Sequence, residues 1–233
     1  MTRGGEKVIN SVAETAREFN RLAVYPAPVW DHNSSYHSWL LQYVPRPCRL
    51  ALDVGCGSGA FTRLLARVAE RVVAIDVSPA MISLARERSR DARNIEYICA
   101  DFNDFELPNA AFDYAVSIAT MHHLPLQAAV PHLRAALRPQ GTLAIIDLLS
   151  DATLAGKARS VAAKAWSTLL ELRHNGLYRA SPAARAAWRE HGSHDSYLSF
   201  GEARDFFVSS LPGARIRRRL FWRYSVLWEK CSS

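Results

Sequence analysis

Three carboxylates follow one another at regular intervals in the first half of the sequence, each at the end of a short apolar run. Asp53 lies two residues before the first glycine of GCGSG, Asp76 ends RVVAID, and Asp101 follows IEYICA. Glycines let the backbone turn sharply and let a ligand approach the main chain closely. A glycine-rich loop of this kind, between a strand and a helix, is typical of sites for dinucleotides or other nucleotide-like ligands.

Asp53 favours a cationic ligand over a dinucleotide. A carboxylate so close to the first glycine would repel a pyrophosphate, whereas it would attract a ligand with an ammonium and a sulfonium group. S-adenosylmethionine has both groups. Asp76 is placed to accept hydrogen bonds from two ribose hydroxyls, each contributing on the order of 1.5–3 kcal/mol. Asp101 can accept a hydrogen bond from the adenine amino group. A purely structural role in a turn is a fair alternative for this residue.

The elements that must position these carboxylates are five short apolar runs, which alternate with helix-period stretches. The runs cover residues 49–54, 71–76, 95–100, 112–119 and 141–149. Strands that are apolar on both faces and alternate with helices predict a parallel sheet covered by helices. The sequence therefore predicts a doubly wound α/β core, in which Arg138-Pro139-Gln140-Gly141 forms the turn into the fifth strand.

The alternation of predicted strands and helices ends after Asp147. Residues 151–190 predict helices interrupted at Asn175-Gly176 and Ser181-Pro182, followed by a helix at 201–211 and two closing strands. We expect one domain spanning 1–233. Within it we expect an N-terminal helical lid at 1–48, a cofactor-binding core at 49–149, a helical substrate-cap insertion at 151–198, and a closing helix and β-hairpin at 199–233.

The segments LDVGCGSG, AIDVSPAM, CADFNDF, FDYAVSIATMHHL and LRPQGTLAIID occur in this order between residues 49 and 149. In order and spacing this region resembles the class I S-adenosylmethionine-dependent methyltransferases, in particular small-molecule enzymes of methyltransferase type 11. The resemblance implies a Rossmann-like, seven-stranded and mostly parallel sheet whose last strand is antiparallel. It also implies S-adenosyl-L-methionine as the cofactor and direct in-line methyl transfer as the reaction.

The resemblance also implies which residues bind the cofactor. Asp53, Gly55 and Gly57 would line its methionine part, Asp76 its ribose, and Met81, Asp101 and Phe102 its adenine, with Ala119 and Thr120 beside it. Cys56 and Val77 are also expected to bind the cofactor. Met81 is equally well explained as a core residue. In the lid, Tyr36 is predicted to lie near the carboxylate of the cofactor.

The acceptor side is predicted from aromatic and titratable residues. His122 or His123 could act as a base, because an imidazole titrates near pH 6.5; packing is the stronger alternative for His123. The residues expected to contact the acceptor are Trp30, His32, Met121, Trp166, Trp188 and His191. For the N-terminal segment, a surface helix that buries Trp30 and Trp39 is an equal alternative.

No metal site is predicted. His191, His194 and Asp195 are close in sequence, but no fourth candidate has a matching spacing, and a glycine and a serine separate the histidines. The four cysteines share no CxxC spacing, which argues against a zinc site or a disulfide framework and favours a reducing, cytoplasmic location.

The composition allows several partners but favours a small molecule. The 233 residues have a net charge of +7. The 25 arginines account for most of the positive charge, and most of them lie on predicted helix faces. The dense run Arg215–Arg219 alternates with Ile216, as in an edge strand protected against pairing. We expect a methyltransferase for a small-molecule acceptor with oxygen, nitrogen or an activated carbon as the target. The alternatives are an RNA or protein methylase that uses the basic surface and a non-catalytic cofactor-binding subunit. Nucleic acid is not the favoured partner, and no membrane span is expected. A homodimer is left open.

Overall fold

The computed structural model describes residues 11–26, 28, 30–150, 154–176 and 180–232, without the side chains of 154–162, 165 and 194. Its centre is a seven-stranded sheet formed by β1 (Leu50–Val54), β2 (Arg71–Asp76), β3 (Ile95–Cys99), β4 (Phe112–Ile118), β5 (Leu137–Leu148), β6 (Arg215–Arg219) and β7 (Arg223–Glu229). The spatial order is β3-β2-β1-β4-β5-β7-β6. The first five strands are parallel, and β7 is antiparallel to both β5 and β6. This arrangement confirms the predicted fold class.

Eight α-helices lie among the described residues. They are α1 (Val12–Leu22), α2 (His37–Leu41), α3 (Ala60–Leu65), α4 (Pro79–Arg88), α5 (Leu126–Ala136), α6 (Leu154–Asn175), α7 (Pro182–His194) and α8 (Phe200–Ser210). Short 3₁₀ turns occupy Ser34–Tyr36 and Met121–His123. Where the chain is described, none of the helices combines the length and apolar character needed to cross a membrane.

Both faces of the central strands are apolar and buried, as parallel strands require. On β1, Leu52 and Val54 belong to the hydrophobic cluster that includes residues of α5 and α8. Their neighbour Ala51 belongs to the cluster on the other face, which includes residues of α2 and α3. The central strands are therefore covered on both sides.

The predicted turn at 138–141 is wrong as a turn. These residues lie inside β5, where the pairing register with β4 shifts between Phe112 and Tyr114. Gln140 has a φ of +66°, yet its amide donates to the carbonyl of Lys230 at 2.8 Å. These residues do not form a separate turn because the hydrogen bond to Lys230, which directly follows β7, keeps them in the sheet.

The carboxyl ends of β1 to β4 meet at one edge of the sheet, and two helices lie over this edge. Arg21 of α1 forms an ion pair with Glu190 of α7 at 2.6 Å. Leu22 of α1 packs in one apolar cluster with Met81 of α4 and Ala187 of α7. The N-terminal helix and the helix of the insertion are thus joined above the strand ends.

Candidate active site

A cavity of about 860 Å³ opens at the carboxyl edge of β1 to β4. Its walls include the glycine loop after β1, the ends of β2 and β4, the segment after β3, and residues of α1 and α7. Ligand clefts in open α/β sheets lie at this edge, where the strand order reverses. The cavity is therefore the candidate site for both cofactor and acceptor.

The glycine loop approaches the end of β4 very closely. Gly55 has a φ of +74°, and a Cβ atom at this position would lie 2.0 Å from Oγ1 of Thr120. The amides of Gly55 and Cys56 donate to the carbonyl of Ile75 at 2.8 and 3.1 Å. Glycine is therefore required at position 55 both by the backbone conformation and by the space available.

Asp53 is a buried carboxylate in the wall of the cavity. Its side chain accepts a hydrogen bond of 2.6 Å from the hydroxyl of Thr62, and the residue is only 2% exposed. Burial raises the pKa of Asp53 to about 7, although the Thr62 hydrogen bond opposes this shift. A carboxylate that is costly to ionise in the empty site is stabilised when a cation binds beside it.

Asp76 is held by two main-chain amides. Its Oδ2 accepts from the amide of Gly57 at 2.8 Å, and its Oδ1 accepts from the amide of Ser78 at 2.9 Å. A carboxylate has about four lone-pair positions, so two remain for a ligand. Burial raises the pKa of Asp76, and the two amide bonds oppose that shift. The cap of α4 is Ser78, whose hydroxyl accepts from the amide of Met81 at 3.1 Å.

The remaining residues predicted to bind the cofactor, except Tyr36, also line the cavity. Asp101 accepts two bonds from Asn103, at 2.9 Å from the main chain and 3.0 Å from the side chain, both on Oδ1. The other predicted residues in the wall are Gly55, Cys56, Gly57, Val77, Met81, Phe102, Ala119 and Thr120. The structure therefore brings together carboxylates that are separated by more than twenty residues in sequence.

Tyr36 lies outside this wall. It is buried in an apolar cluster, and its hydroxyl donates to the carbonyl of Leu220 at 2.6 Å. The predicted contact of Tyr36 with the carboxylate of the cofactor has no counterpart in this arrangement. The physical reason is that the aromatic ring is needed for packing against the core and its hydroxyl is already bonded.

The residues predicted for the acceptor divide into two groups. His32, His123 and Trp188 line the cavity. Trp30, Met121, Trp166, His191 and His122 do not. Trp30 and Met121 are buried in apolar clusters, Trp166 is 51% exposed, and His191 and His122 are bonded to carboxylates. Sequence alone does not separate these groups, because both contain aromatic residues on helices or turns.

His32 belongs to a chain of hydrogen bonds that fixes its tautomer. Its Nε2 lies 2.7 Å from the hydroxyl oxygen of Ser167, and that hydroxyl donates to Glu171 at 3.0 Å. Because Ser167 has one hydroxyl proton and gives it to Glu171, Nε2 of His32 must donate to Ser167. A neutral His32 then has its lone pair on Nδ1. Burial lowers the pKa of His32, which favours this neutral form.

Arg223 is a cavity residue that the sequence analysis did not identify. It is 7% exposed, and its guanidinium donates to Oδ1 of Asn33 at 2.7 Å and to the carbonyl of Phe221. Burial lowers the pKa of Arg223, and both of these partners are neutral. Its position at the start of a strand carries no sequence signal that distinguishes it from the neighbouring exposed arginines.

The histidine pair after β4 has two different environments. Nδ1 of His122 lies 2.6 Å from Oδ1 of Asp147. Burial lowers the pKa of His122, but the carboxylates of Asp147 and Asp195 outweigh it and raise the pKa to about 9. Burial and the neighbouring His122 lower the pKa of His123 to about 3. The structure also brings Asp195 to these two histidines, a juxtaposition that the sequence spacing did not reveal.

Comparison with known proteins agrees with this geometry. Residues 52–145 match the family model described as a methyltransferase domain. An uncharacterized methyltransferase of Mycobacterium tuberculosis is 31% identical over 211 residues, covering 85% of this chain and 96% of that protein. A malonyl-[acyl-carrier protein] O-methyltransferase of Acetivibrio thermocellus is 40% identical over 96 residues, covering 40% of this chain and 33% of that protein.

A solved structure shares the fold. The N-methyltransferase NodS of Bradyrhizobium japonicum, in complex with S-adenosylhomocysteine, has a TM-score of 0.58 at 17% identity and covers 94% of this chain and 99% of its own. The glycine loop, the carboxylates at the strand ends and the relationship over most of the chain converge on one assignment. This protein belongs to the class I S-adenosylmethionine-dependent methyltransferases.

Proposed function

We propose that this enzyme methylates a small molecule bearing an acidic group, using the same cavity for cofactor and acceptor. The observation behind the proposal is the cavity itself. It continues from the glycine loop past Thr120 to His32 and Arg223, and residues of α1 and α7 wall it. Its volume of about 860 Å³ lies within the range of sites that enclose a cofactor or small ligand, about 300–1,000 Å³.

Arg223 supports an acidic group on the acceptor. The hydrogen-bond partners of this buried guanidinium are Asn33 and a carbonyl, and the nearby carboxylates of Asp31 and Asp147 offset the lowering of its pKa by burial only in part. A carboxylate or phosphate would gain a charge-assisted and bidentate interaction there. The malonyl group named for one relative also carries a carboxylate.

The basic surface gives less support to an RNA or protein acceptor. Arg215, Arg217 and Arg218 are exposed on the edge strand β6, and none of the three is among the described residues that line the cavity. The guanidinium of Arg218 lies over the ring of Phe200 at 4.7 Å. Packing and protection of the sheet edge account for this run of arginines.

We further propose that His32 takes the proton from the acceptor when that acceptor is a hydroxyl or a protonated amine. The cofactor supplies the electrophilic methyl group, so the protein must orient the nucleophile and remove its proton. His32 stacks on Phe221 with ring centroids 4.7 Å apart. With Nε2 donating to Ser167, the ring orientation is fixed and the Nδ1 lone pair remains available.

The experiment is an assay of S-adenosylhomocysteine release with a panel of small carboxylic and phosphorylated alcohols and amines, matched neutral analogues, bulk RNA and a protein extract. We expect turnover with an acidic small acceptor and none in Asp76→Ala. In Arg223→Gln, KM for that acceptor should rise about tenfold or more, since a hydrogen bond to a charged group contributes about 1.5–3 kcal/mol. Arg223→Lys should recover part of this loss.

Other outcomes of the panel contradict the proposal. Turnover confined to RNA or protein, with a steep loss at high salt, would assign the basic surface instead. If the protein bound S-adenosylhomocysteine but produced none from S-adenosylmethionine with any acceptor, a non-catalytic subunit would be favoured. For His32→Gln we expect kcat to fall by about 10²- to 10⁴-fold, with unchanged S-adenosylhomocysteine affinity. His174→Gln, an exposed change on α6, the helix that carries Ser167, is the control; equal rates in the two variants would exclude His32 as the base.

A further inference from the structure

Three histidines surround one buried carboxylate beside the cavity. The side chain of Asp195, which follows α7, is 2% exposed. Its Oδ2 lies 3.7 Å from Nε2 of His122 and 3.5 Å from Nε2 of His191, and its Oδ1 lies 3.6 Å from Nδ1 of His123. One nitrogen of His122, one of His123 and one oxygen of Asp195 all lie within 4.8 Å of one another.

Two of these histidines are oriented from behind by other carboxylates. Nδ1 of His122 lies 2.6 Å from Asp147, and Nδ1 of His191 lies 2.7 Å from Glu18. An ionised carboxylate only accepts hydrogen bonds, so both Nδ1 atoms carry their protons. Each ring in its neutral form then directs a lone pair at Nε2 towards Asp195. A carboxylate behind a histidine in this way is the usual support of a metal-binding imidazole.

The distances to Asp195 fit a shared ion better than direct hydrogen bonds. A charge-assisted hydrogen bond would bring nitrogen and oxygen to about 2.7–2.9 Å, whereas these separations are 3.5–3.7 Å. Two ligands bound tetrahedrally to one zinc ion at about 2.0–2.2 Å lie about 3.3–3.6 Å apart. In addition, Oδ1 of Asp195, the oxygen that faces Nδ1 of His123, is buried and has no hydrogen-bond partner among the described residues.

We propose that His122, His123 and Asp195 bind a first-row divalent transition metal ion. Two imidazole nitrogens and one carboxylate oxygen suit zinc, and they suit magnesium or calcium poorly because those ions prefer oxygen ligands. Tyr197 donates to Oδ2 of Asp195 at 2.8 Å and orients the carboxylate.

The ion would connect two parts of the fold. His122 and His123 belong to the turn after β4, and Asp195 is the residue that follows α7. Because His123 lines the cavity, the metal site would fix the wall of the acceptor region. The proposal does not depend on the identity of the acceptor.

The test is titration of chelator-treated full-length protein with Zn²⁺, with Mg²⁺ as the comparison ion. We expect one Zn²⁺ per chain by calorimetry and no comparable Mg²⁺ binding. At a Zn²⁺ concentration of 100 times Kd, the melting temperature should rise by about 5–10 °C. Co²⁺ in the same site should give the visible absorption of a tetrahedral centre. These measurements use the wild-type protein and need no variant to fold.

Variants then assign the ligands. Asp195→Asn and His122→Gln should each weaken Zn²⁺ binding by about 100-fold or more, whereas His174→Gln, an exposed histidine on α6, should not. The opposing explanation is that protonated His122 and His191 pair directly with Asp195. That explanation would hold, and the proposal would be overturned, if wild-type protein bound Zn²⁺ no better than Asp195→Asn or showed no change in melting temperature.

Discussion

Asp53 carries a carboxyl group that is costly to ionise in the enzyme without cofactor. Its carboxyl group is buried against Thr62, and burial raises its pKa from 3.8 to about 7. The folded state therefore holds the proton more tightly than the unfolded chain. The contribution of Asp53 to stability is present at low pH and decreases as the pH rises from about 4 through 7.

We expect Asp53→Asn to remove this pH dependence in the protein without cofactor. The neutral amide does not ionise. The difference in free energy of unfolding between the variant and wild type should therefore shift in favour of the variant as the pH rises, by at most about 4 kcal/mol at pH 8. Chemical denaturation at pH 5 and pH 8 measures this difference. The variant should at the same time bind S-adenosylmethionine more weakly, because the cation loses its counter-charge. Parallel pH profiles for wild type and variant would show that Asp53 ionises normally.

At the residue scale, the sequence predicts which carboxylates line the cavity, but it does not identify Arg223 or the position of Asp195. Asp53, Asp76 and Asp101 line the cavity because parallel strands end at one edge, which follows from the apolar runs before them. Arg223 and the meeting of Asp195 with His122 depend on loop paths and on helices from distant parts of the chain. No local spacing encodes such juxtapositions.

At the scale of elements, the glycine loop and the end of β4 form one unit. A Cβ at Gly55 would meet Thr120 at 2.0 Å, and the φ of +74° already disfavours any other residue. We expect Gly55→Ala to lower S-adenosylhomocysteine affinity by at least about tenfold, because Thr120 or the loop must move into the cofactor space. Isothermal calorimetry measures the change.

Gly213→Ala is the control that separates the effect of backbone strain from the effect of the steric clash between residue 55 and Thr120. Gly213 has a φ of +85°, but a Cβ there would meet no atom of the described residues within 4 Å. This control should lose about 1–2 kcal/mol of stability from the left-handed conformation alone while keeping its cofactor affinity. Equal affinity losses in the two variants would mean that the contact with Thr120 is unimportant.

The elements themselves follow from sequence wherever burial is complete on both sides. The runs at 71–76 and 95–100 become β2 and β3 almost residue for residue. The segment at 138–141 was expected to turn, because proline and glycine are typical of turns. Its irregular backbone is held in β5 by pairing with Lys230, a partner that lies 90 residues later and leaves no local signal.

On the scale of the whole molecule, α1 and α7 form a cover whose stability is separate from that of the sheet. Leu22 is 4% exposed and packs in a small cluster with Met81 and Ala187, apart from the large clusters on the sheet faces. Small clusters of this kind support regions that open locally, at a lower free energy than global unfolding. Opening of this cover would give ligands access to the cavity.

Leu22→Ala should therefore loosen the cover without destabilising the sheet. Loss of a buried leucine side chain costs about 2–5 kcal/mol in a full core, and the smaller cluster should place the value at the low end of that range. Since about 1.4 kcal/mol corresponds to a tenfold change in an opening equilibrium, amide exchange in α1 and α7 should accelerate about tenfold or more. Exchange in β1 and β4 should stay unchanged. Leu133→Ala, in the fully buried core of α5, is the contrasting variant and should lower global stability. If Leu22→Ala accelerated exchange in the sheet as much as in the helices, the cover and the sheet would form one cooperative unit, and ligand entry would require a different route.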